Sequence, residues 1–201
     1  MFDVVVVGAG PAGLEAARRS AELGARVALI EQGFIGGVGA NDGPVPVRSL
    51  AHAARLLREA GQLERYGMEW EPPQVDCARL LERVRAVVEQ VRGGAHATET
   101  LGALGVTLFD RAGTSWFEDA HTVATETGRR IEAESIVLCT GGHNRELPIP
   151  GREHTSSHSN VWSMQSIPDS MAVIGAGATG VQIASIFNGR RADHCRRLPV
   201  Q

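Results

Sequence analysis

The stretch that most constrains the fold lies at the start of the chain. Asp3–Val7, an almost uninterrupted β-branched run, is followed at once by Gly8-Ala9-Gly10-Pro11-Ala12-Gly13. Such a run bounded by glycine reads as a strand buried on both faces, as in parallel sheets. Leu14–Gly24 then reads as an alanine-rich helix with Gly24 as its C-cap, and Arg26–Ile30 as a second strand. This is a β–α–β unit, whose right-handed crossover makes the two strands parallel. The glycines match the pattern G-x-G-x-x-G. Gly8 permits a tight turn, Gly10 lets the backbone approach a pyrophosphate, and Gly13 lets helix and strand pack closely. The helix start presents free N–H groups and a positive dipole end to an anion. Glu31 closes the second strand, eighteen residues past Gly13, where a carboxylate accepts ribose hydroxyls.

The rest of the chain divides by period. Gln32–Arg48 is rich in Gly, Pro and Asn and reads as a functional loop. Ser49–Glu59 regains a helical period, and Cys77–Gln90 reads as a long helix ending near Gly93-Gly94. Val106–Phe109, Ser115–Phe117, Thr122–Thr125 and Arg130–Leu138 read as short strands of an antiparallel meander, ending in a buried segment at Ser135–Leu138. Pro148, Pro150 and Gly151 mark a domain boundary. Ser170–Ile174 reads as another buried strand, followed by Gly175-Ala176-Gly177-Ala178-Thr179-Gly180 and a helix from Val181 to Phe187. The second glycine motif repeats the first, without a confirming residue at a following strand end. Gly189–Gln201 offers no apolar strand where one is expected.

Composition excludes some classes. A net charge of −3 on 201 residues argues against a nucleic-acid or membrane-surface partner. Hydrophobic residues make up 43%, enough for a core, yet no apolar run approaches a membrane span. The three cysteines (Cys77, Cys139, Cys195) are far apart, so neither a disulfide scaffold nor a structural metal site is expected. No secretory signal is visible, which makes a cytoplasmic location the default expectation.

Two glycine cradles with Cys139-Thr140-Gly141-Gly142 after a strand between them resemble the pyridine nucleotide-disulfide oxidoreductases, over Met1 to about Asn188. The resemblance implies an α/β flavoprotein fold. Residues 1–150 would form an FAD-binding, Rossmann-like parallel sheet with an antiparallel meander, residues 151–188 the start of an NAD(P)-binding domain, and residues 189–201 an atypical tail. It implies FAD at Gly8, Gly10, Pro11, Ala12, Gly13 and Glu31, and NAD(P)H at Gly175, Gly177, Ala178, Thr179 and Gly180. Gly113-Thr114-Ser115, followed by Asp119 and His121-Thr122-Val123, resembles the segment whose backbone approaches the adenine. Thr140-Gly141-Gly142 resembles the element that closes over FAD. The full-length family forms homodimers.

The departures bear on mechanism. Where the family reads G-G-T-C-x-N-x-G-C-x-P-S-K, this chain reads Gly36-Gly37-Val38-Gly39-Ala40-Asn41-Asp42-Gly43-Pro44-Val45-Pro46-Val47-Arg48. Gly39 and Pro44 occupy the redox cysteine positions. A thiolate is the nucleophile in disulfide exchange, and neither residue can supply one. The family's lysine and glutamate beside the flavin are Arg48 and Gln182 here, so that ion pair is absent. The expected activity is hydride transfer from NAD(P)H to FAD and on to a small acceptor, without a redox disulfide. The alternative is a non-catalytic flavin-binding remnant, since a frameshift or early stop after about Asn188 gives a tail like Gly189–Gln201. Cys139 reads as a small buried hydrophobe before a redox thiol, and His52 as a surface or core histidine before an acid–base group. Trp116 and Trp162 read as packing residues. Trp70 reads as a cap over a helix pair, and Arg18-Arg19 as a solvated face.

Overall fold

Two strands from the start of the chain and four from residues 107–138 join in one six-stranded sheet. The computed structural model describes residues 1–92, 95–145, 147–164, 168 and 170–188. The chain divides into two compact units, Met1–Asp42 with Val88–Arg145, and Gly43–Val87 with Glu146–Gln201.

In the first unit, β1 (Phe2–Val7) leads into α1 (Pro11–Glu22) and β2 (Val27–Ile30). Helix α1 ends in a Schellman motif. Gly24 takes φ +89°, its N–H donates to the Ala21 carbonyl, and the Ala25 N–H donates to that of Ser20. The short α2 (Gly37–Asn41) follows, and the unit resumes with α5 (Ala95–Ala103), β3 (Thr107–Phe109), β4 (Ser115–Phe117), β5 (Thr122–Thr125) and β6 (Arg130–Leu138). The strand order is β3-β2-β1-β6-β5-β4. β1 pairs in parallel with β2 (Val5 opposite Ala28) and with β6 (Val5 opposite Ile136). β2 and β3 are parallel, whereas β4–β5 and β5–β6 are antiparallel. The fold is thus α/β, a mixed sheet with a parallel core and an antiparallel meander.

Strand period sets the two cores. Val5, Ala28, Ile30, Val123, Ile131 and Ala133 fill one cluster. Their sequence neighbours Val6, Val27 and Leu29 fill the other, with Ala17 of α1 and Leu101 of α5. Full burial of each such valine, leucine or isoleucine is worth about 1.5–3 kcal/mol, so β1 and β2 carry much of the stability of this unit.

Several expectations need correction. β3 pairs only with β2, in parallel, so it lies outside the meander. Ser135–Leu138 is not buried. This half of β6 pairs with β1 along one edge and has no described strand along the other, leaving Leu138 60% exposed. Gln32–Arg48 is only partly a loop. It contains α2 and the start of α3 (Pro44–Ala60), because Pro44 sits at the first turn, where its missing N–H costs nothing.

The second unit contains α3, α6 (Ala178–Asn188) and the first part of α4 (Cys77–Arg92). Val47 and Leu50 of α3, Leu81 and Val84 of α4, Ile183 and Ile186 of α6, and Val161 form its core. Arg58 Nη1 donates to the Ser185 carbonyl, a further tie between α3 and α6. Ser170–Ile174 is not a strand, since a strand requires a ladder partner and no described segment supplies one; Ile174 is 61% exposed. Trp70 lies beside the end of α3, its Cζ3 3.6 Å from where a Cβ on Gly61 would stand. Gly93-Gly94 and Gly189–Gln201 fall outside the described residues.

Asp3 fastens the start of β1. Its carboxylate accepts the Arg26 backbone N–H at 2.7 Å and pairs with Arg26 Nη2 at 2.6 Å. The side-chain hydrogen bond from Arg26, then its backbone bond, lower the Asp3 pKa from 3.8 to about 2. A carboxyl depressed in the folded state stabilises it above the unfolded pKa and loses that contribution as pH falls through the folded value. The difference in urea midpoint between wild type and Asp3→Asn is therefore expected to narrow from pH 4 towards pH 2. A difference that stays constant over that range overturns the assignment.

Candidate nucleotide-binding site

The first cradle is assembled from three segments of the first unit. Gly8, at φ +102°, donates its N–H to the Ile30 carbonyl at 2.7 Å. A Cβ on Gly8 would fall onto the Cys139 carbonyl oxygen, so the end of β6 forms one wall of the turn. A Cβ on Gly13 would fall onto the Gly8 carbonyl oxygen and 3.3 Å from Cys139 Cβ. Helix and strand thus approach to a distance that only glycine permits. At the mouth, Pro11 and Ala12 are exposed. The N-cap, Gly10, makes no side-chain capping bond, and the first turn carries no acidic residue. The opening N–H groups of α1 are therefore not neutralised by the helix's own side chains.

Glu31 closes the cradle from below. The residue is 9% exposed; its Oε2 accepts the N–H of the fully buried Ala9 at 2.7 Å, and Oε1 accepts that of Gly33 at 2.9 Å. The acid at the strand end is thus bonded into the glycine turn itself. Each oxygen keeps a further lone pair for a hydroxyl donor.

The segment around α2 docks on the same turn. Gly36 donates its N–H to the Ala9 carbonyl at 2.8 Å, and a Cβ on Gly37 would stand 2.9 Å from Gly10 Cα. A Cβ on Gly39 would stand 3.1 Å from Pro11 Cγ. Val38 is exposed. Asn41 Nδ2 donates to the carbonyls of Phe34, Ile35 and Gly37 at 3.3, 3.2 and 2.9 Å, stitching the loop to its helix. Thr140, Gly141 and Gly142 follow β6 without regular structure, Gly141 at φ +71°. Ser115 starts β4.

The second cradle, in the other unit, has the same backbone form. Gly175 takes φ +102°, a Cβ on Gly180 would fall onto the Gly175 carbonyl oxygen, and Val181 donates to the Gly177 carbonyl at 3.0 Å. These features match Gly8, Gly13 and the Leu14 N–H to Gly10 bond at 2.9 Å. The surroundings differ, because nothing lies within 4 Å of a Cβ on Gly175, whereas Gly8 is walled by β6. Gly177, Ala178 and Thr179 are exposed. Gln182 is half-buried on α6 and Arg48 exposed on α3, beside Ile183 and Val47, which share one core cluster.

His52 and Arg18 follow the plainer reading, Cys139 is half-buried, and Trp116 departs from it. Cys139 packs against the buried cluster behind the first cradle. His52 is exposed, its Nδ1 3.3 Å from Arg55 Nη2. Arg18 is paired on the surface with Glu15 and Glu22. Trp116 is 49% exposed and is not a core residue, since β4 is the outermost strand of the sheet; the side chain of Trp162 lies outside the described residues. The sequence alone assigned Asn41 no role in holding the loop around α2. An Asn among glycines was the available signal. Among the described residues no cluster of His, Cys, Asp or Glu could hold a metal, and no helix is long and apolar enough to cross a membrane.

Residues 2–196 match the family described as pyridine nucleotide-disulphide oxidoreductase. The chain is 32% identical to dihydrolipoyl dehydrogenase 3 of Haloarcula marismortui, over 95% of this chain and 41% of the relative. It is 30% identical to dihydrolipoyl dehydrogenase of Chlamydia muridarum, over 93% of this chain and 41% of the relative. Among solved structures it resembles the HOCl-induced flavoprotein disulfide reductase RclA from Escherichia coli, with a TM-score of 0.75 and 26% identity, covering 94% of this chain and 40% of that one. The chain thus spans about two fifths of the length of these relatives.

Proposed function

Since the chain belongs to the pyridine nucleotide-disulphide oxidoreductase family, we propose that its first cradle binds the ADP half of FAD. We further propose that it serves an FAD-dependent oxidoreductase in which hydride comes from NAD(P)H and electrons leave for a small acceptor without a redox disulfide. Residues 1–150 act as the FAD-binding part and residues 151–188 as the opening of the NAD(P)-binding part.

The observation that carries this reading is the hydrogen bond that the Ala9 N–H donates to the Glu31 carboxylate. It ties the acid expected to meet the ribose to the turn expected to meet the phosphates, as one adenine dinucleotide needs. The glycine spaces fit the group, since a Cβ at Gly37 would fill the room beside Gly10. FAD, when bound, supplies hydride acceptance and electron transfer. This chain's residues supply the binding: the first turn of α1 faces the pyrophosphate, Glu31 accepts the ribose hydroxyls, and Gly36–Val38 borders the cradle. Arg48 keeps a positive charge at the position of the family lysine, while Gln182 cannot form the ion pair that a glutamate there would make. With Gly39 and Pro44 at the cysteine positions, no thiol in this segment can relay electrons. The proposed acceptor is accordingly one that meets the flavin directly, such as a quinone, a metal ion or oxygen.

One observation favours a second reading, a flavin-binding chain without turnover. The segment before the second cradle has no ladder partner among the described residues, and its Gly175 lacks the wall that β6 gives Gly8. The visible spectrum of the purified chain separates the two. A yellow protein that bleaches on adding NADH or NADPH supports the oxidoreductase. A yellow protein that does not bleach supports binding alone, and a colourless protein that takes up no added FAD removes both.

A further inference from the structure

The connection from β3 to β4 is irregular where it meets Glu31. Glu31 donates its N–H to the Phe109 carbonyl at 2.9 Å. The next rung of a regular parallel ladder would come from the N–H of residue 111. Instead the Ala112 N–H donates to the Glu31 carbonyl at 2.8 Å, and the Gly113 N–H to that of Gln32 at 3.2 Å. One extra residue is thus bulged out beside the strand end that carries Glu31. Arg111 sits there at φ +49°, the only non-glycine with positive φ among the described residues. The left-handed region is unfavourable for an L-residue, so its neighbours must hold the bulge.

The β2 rungs hold it from one side, and Glu126 holds it from the other. Glu126 follows β5, and its Oε2 accepts the Thr114 N–H at 2.9 Å while its own N–H donates to the Thr114 carbonyl at 2.8 Å. Glu126 Oε2 lies 2.5 Å from where a Cβ on Gly113 would stand, and Gly113 takes φ +67°. Only glycine leaves the carboxylate room to reach the next N–H.

We propose that Glu126 is a positioning residue for the adenine–ribose end of the dinucleotide site. It clamps Gly113-Thr114 against the end of β2, which keeps the Glu31 backbone in register and its carboxylate on the Ala9 N–H. The inference rests on reading Gly8–Gly13 with Glu31 as an ADP site. It is local to one end of that site, because inorganic pyrophosphate meets the cradle without needing the ribose position.

The test compares ADP with inorganic pyrophosphate by titration calorimetry on the whole chain. Glu126→Ala is expected to weaken ADP roughly three- to tenfold, the scale of one lost hydrogen bond, and to leave pyrophosphate unchanged. Glu126→Gln, whose amide oxygen still accepts the Thr114 N–H, is expected to restore ADP binding. Should Glu126→Ala not fold, Glu126→Asp, with its shorter reach, is expected to weaken ADP selectively. Unchanged ADP affinity in the alanine variant, equal weakening of both ligands, or failure of glutamine to rescue overturns the inference alone. A wild-type chain that binds no ADP overturns the site reading along with it.

Discussion

Gly13→Ala is expected to abolish ADP and FAD binding and to destabilise the chain by about 3 kcal/mol, the upper end of overpacking costs. The added methyl would lie on the Gly8 carbonyl oxygen, which is backbone and cannot rotate away. It would also press on Cys139 Cβ at 3.3 Å, at the end of β6. Either α1 lifts off the sheet or the Gly8 turn opens, and both remove the geometry that faces the phosphates. Gly33→Ala is the matched control. Nothing lies within 4 Å of a Cβ there and its φ is not positive, so stability and binding should stay close to wild type. Urea denaturation and ADP titration on the two variants check this. A Gly13→Ala protein that retains wild-type ADP affinity would show that the close approach of helix and strand is not what builds the site.

Glu31→Ala is the second large effect. The Ala9 N–H is buried and has the Glu31 carboxylate as its acceptor at 2.7 Å. Removing the acceptor strands that donor, at a cost of about 1–3 kcal/mol. It also frees the Gly33 N–H and removes the group proposed to accept the ribose hydroxyls. ADP affinity is expected to fall roughly tenfold or more, since hydrogen bonds to a charged acceptor are worth about 1.5–3 kcal/mol. Glu31→Gln should lie between, because its single carbonyl oxygen replaces one of two carboxylate acceptors and its NH2 faces a second donor. Equal stability of the alanine variant and wild type in urea would sink the bond to Ala9 as a structural element. Lost stability with unchanged ADP affinity would confine Glu31 to shaping the turn.

These two residues were legible in the sequence because their constraint is local. The strand, turn, helix and acid fall within thirty-one residues, and each carries its own signal: β-branched run, glycine spacing, alanine-rich helix, strand-terminal carboxylate. What sequence reading got wrong depends on partners elsewhere. β3 looked like the first strand of the meander because Val106–Phe109 has the same short apolar form as the strands after it, yet only the ladder reveals that it joins β2 in parallel. Ser170–Ile174 has the composition of a strand and no described neighbour to make it one. Pro44 and the glycines before it suggested a loop, whereas Pro44 is the first residue of a 17-residue helix. The Glu126 clamp has no sequence signature, because a side chain bonding a backbone N–H twelve positions away leaves no periodic trace.

The wall that β6 gives to Gly8 also bears on the order in which the molecule assembles. β1 is bonded on one side by a strand some twenty residues later and on the other by one more than a hundred residues later, with Val4 opposite Val27 and opposite Ser135. Closing the first loop is entropically cheap, and the second demands a long-range encounter that is slower to achieve. During synthesis the opening β–α–β unit therefore emerges long before the Cys139 carbonyl that flanks its glycine turn. β1 therefore pairs early along one edge and late along the other, and a nascent chain halted short of β6 has the cradle's sequence without its second wall.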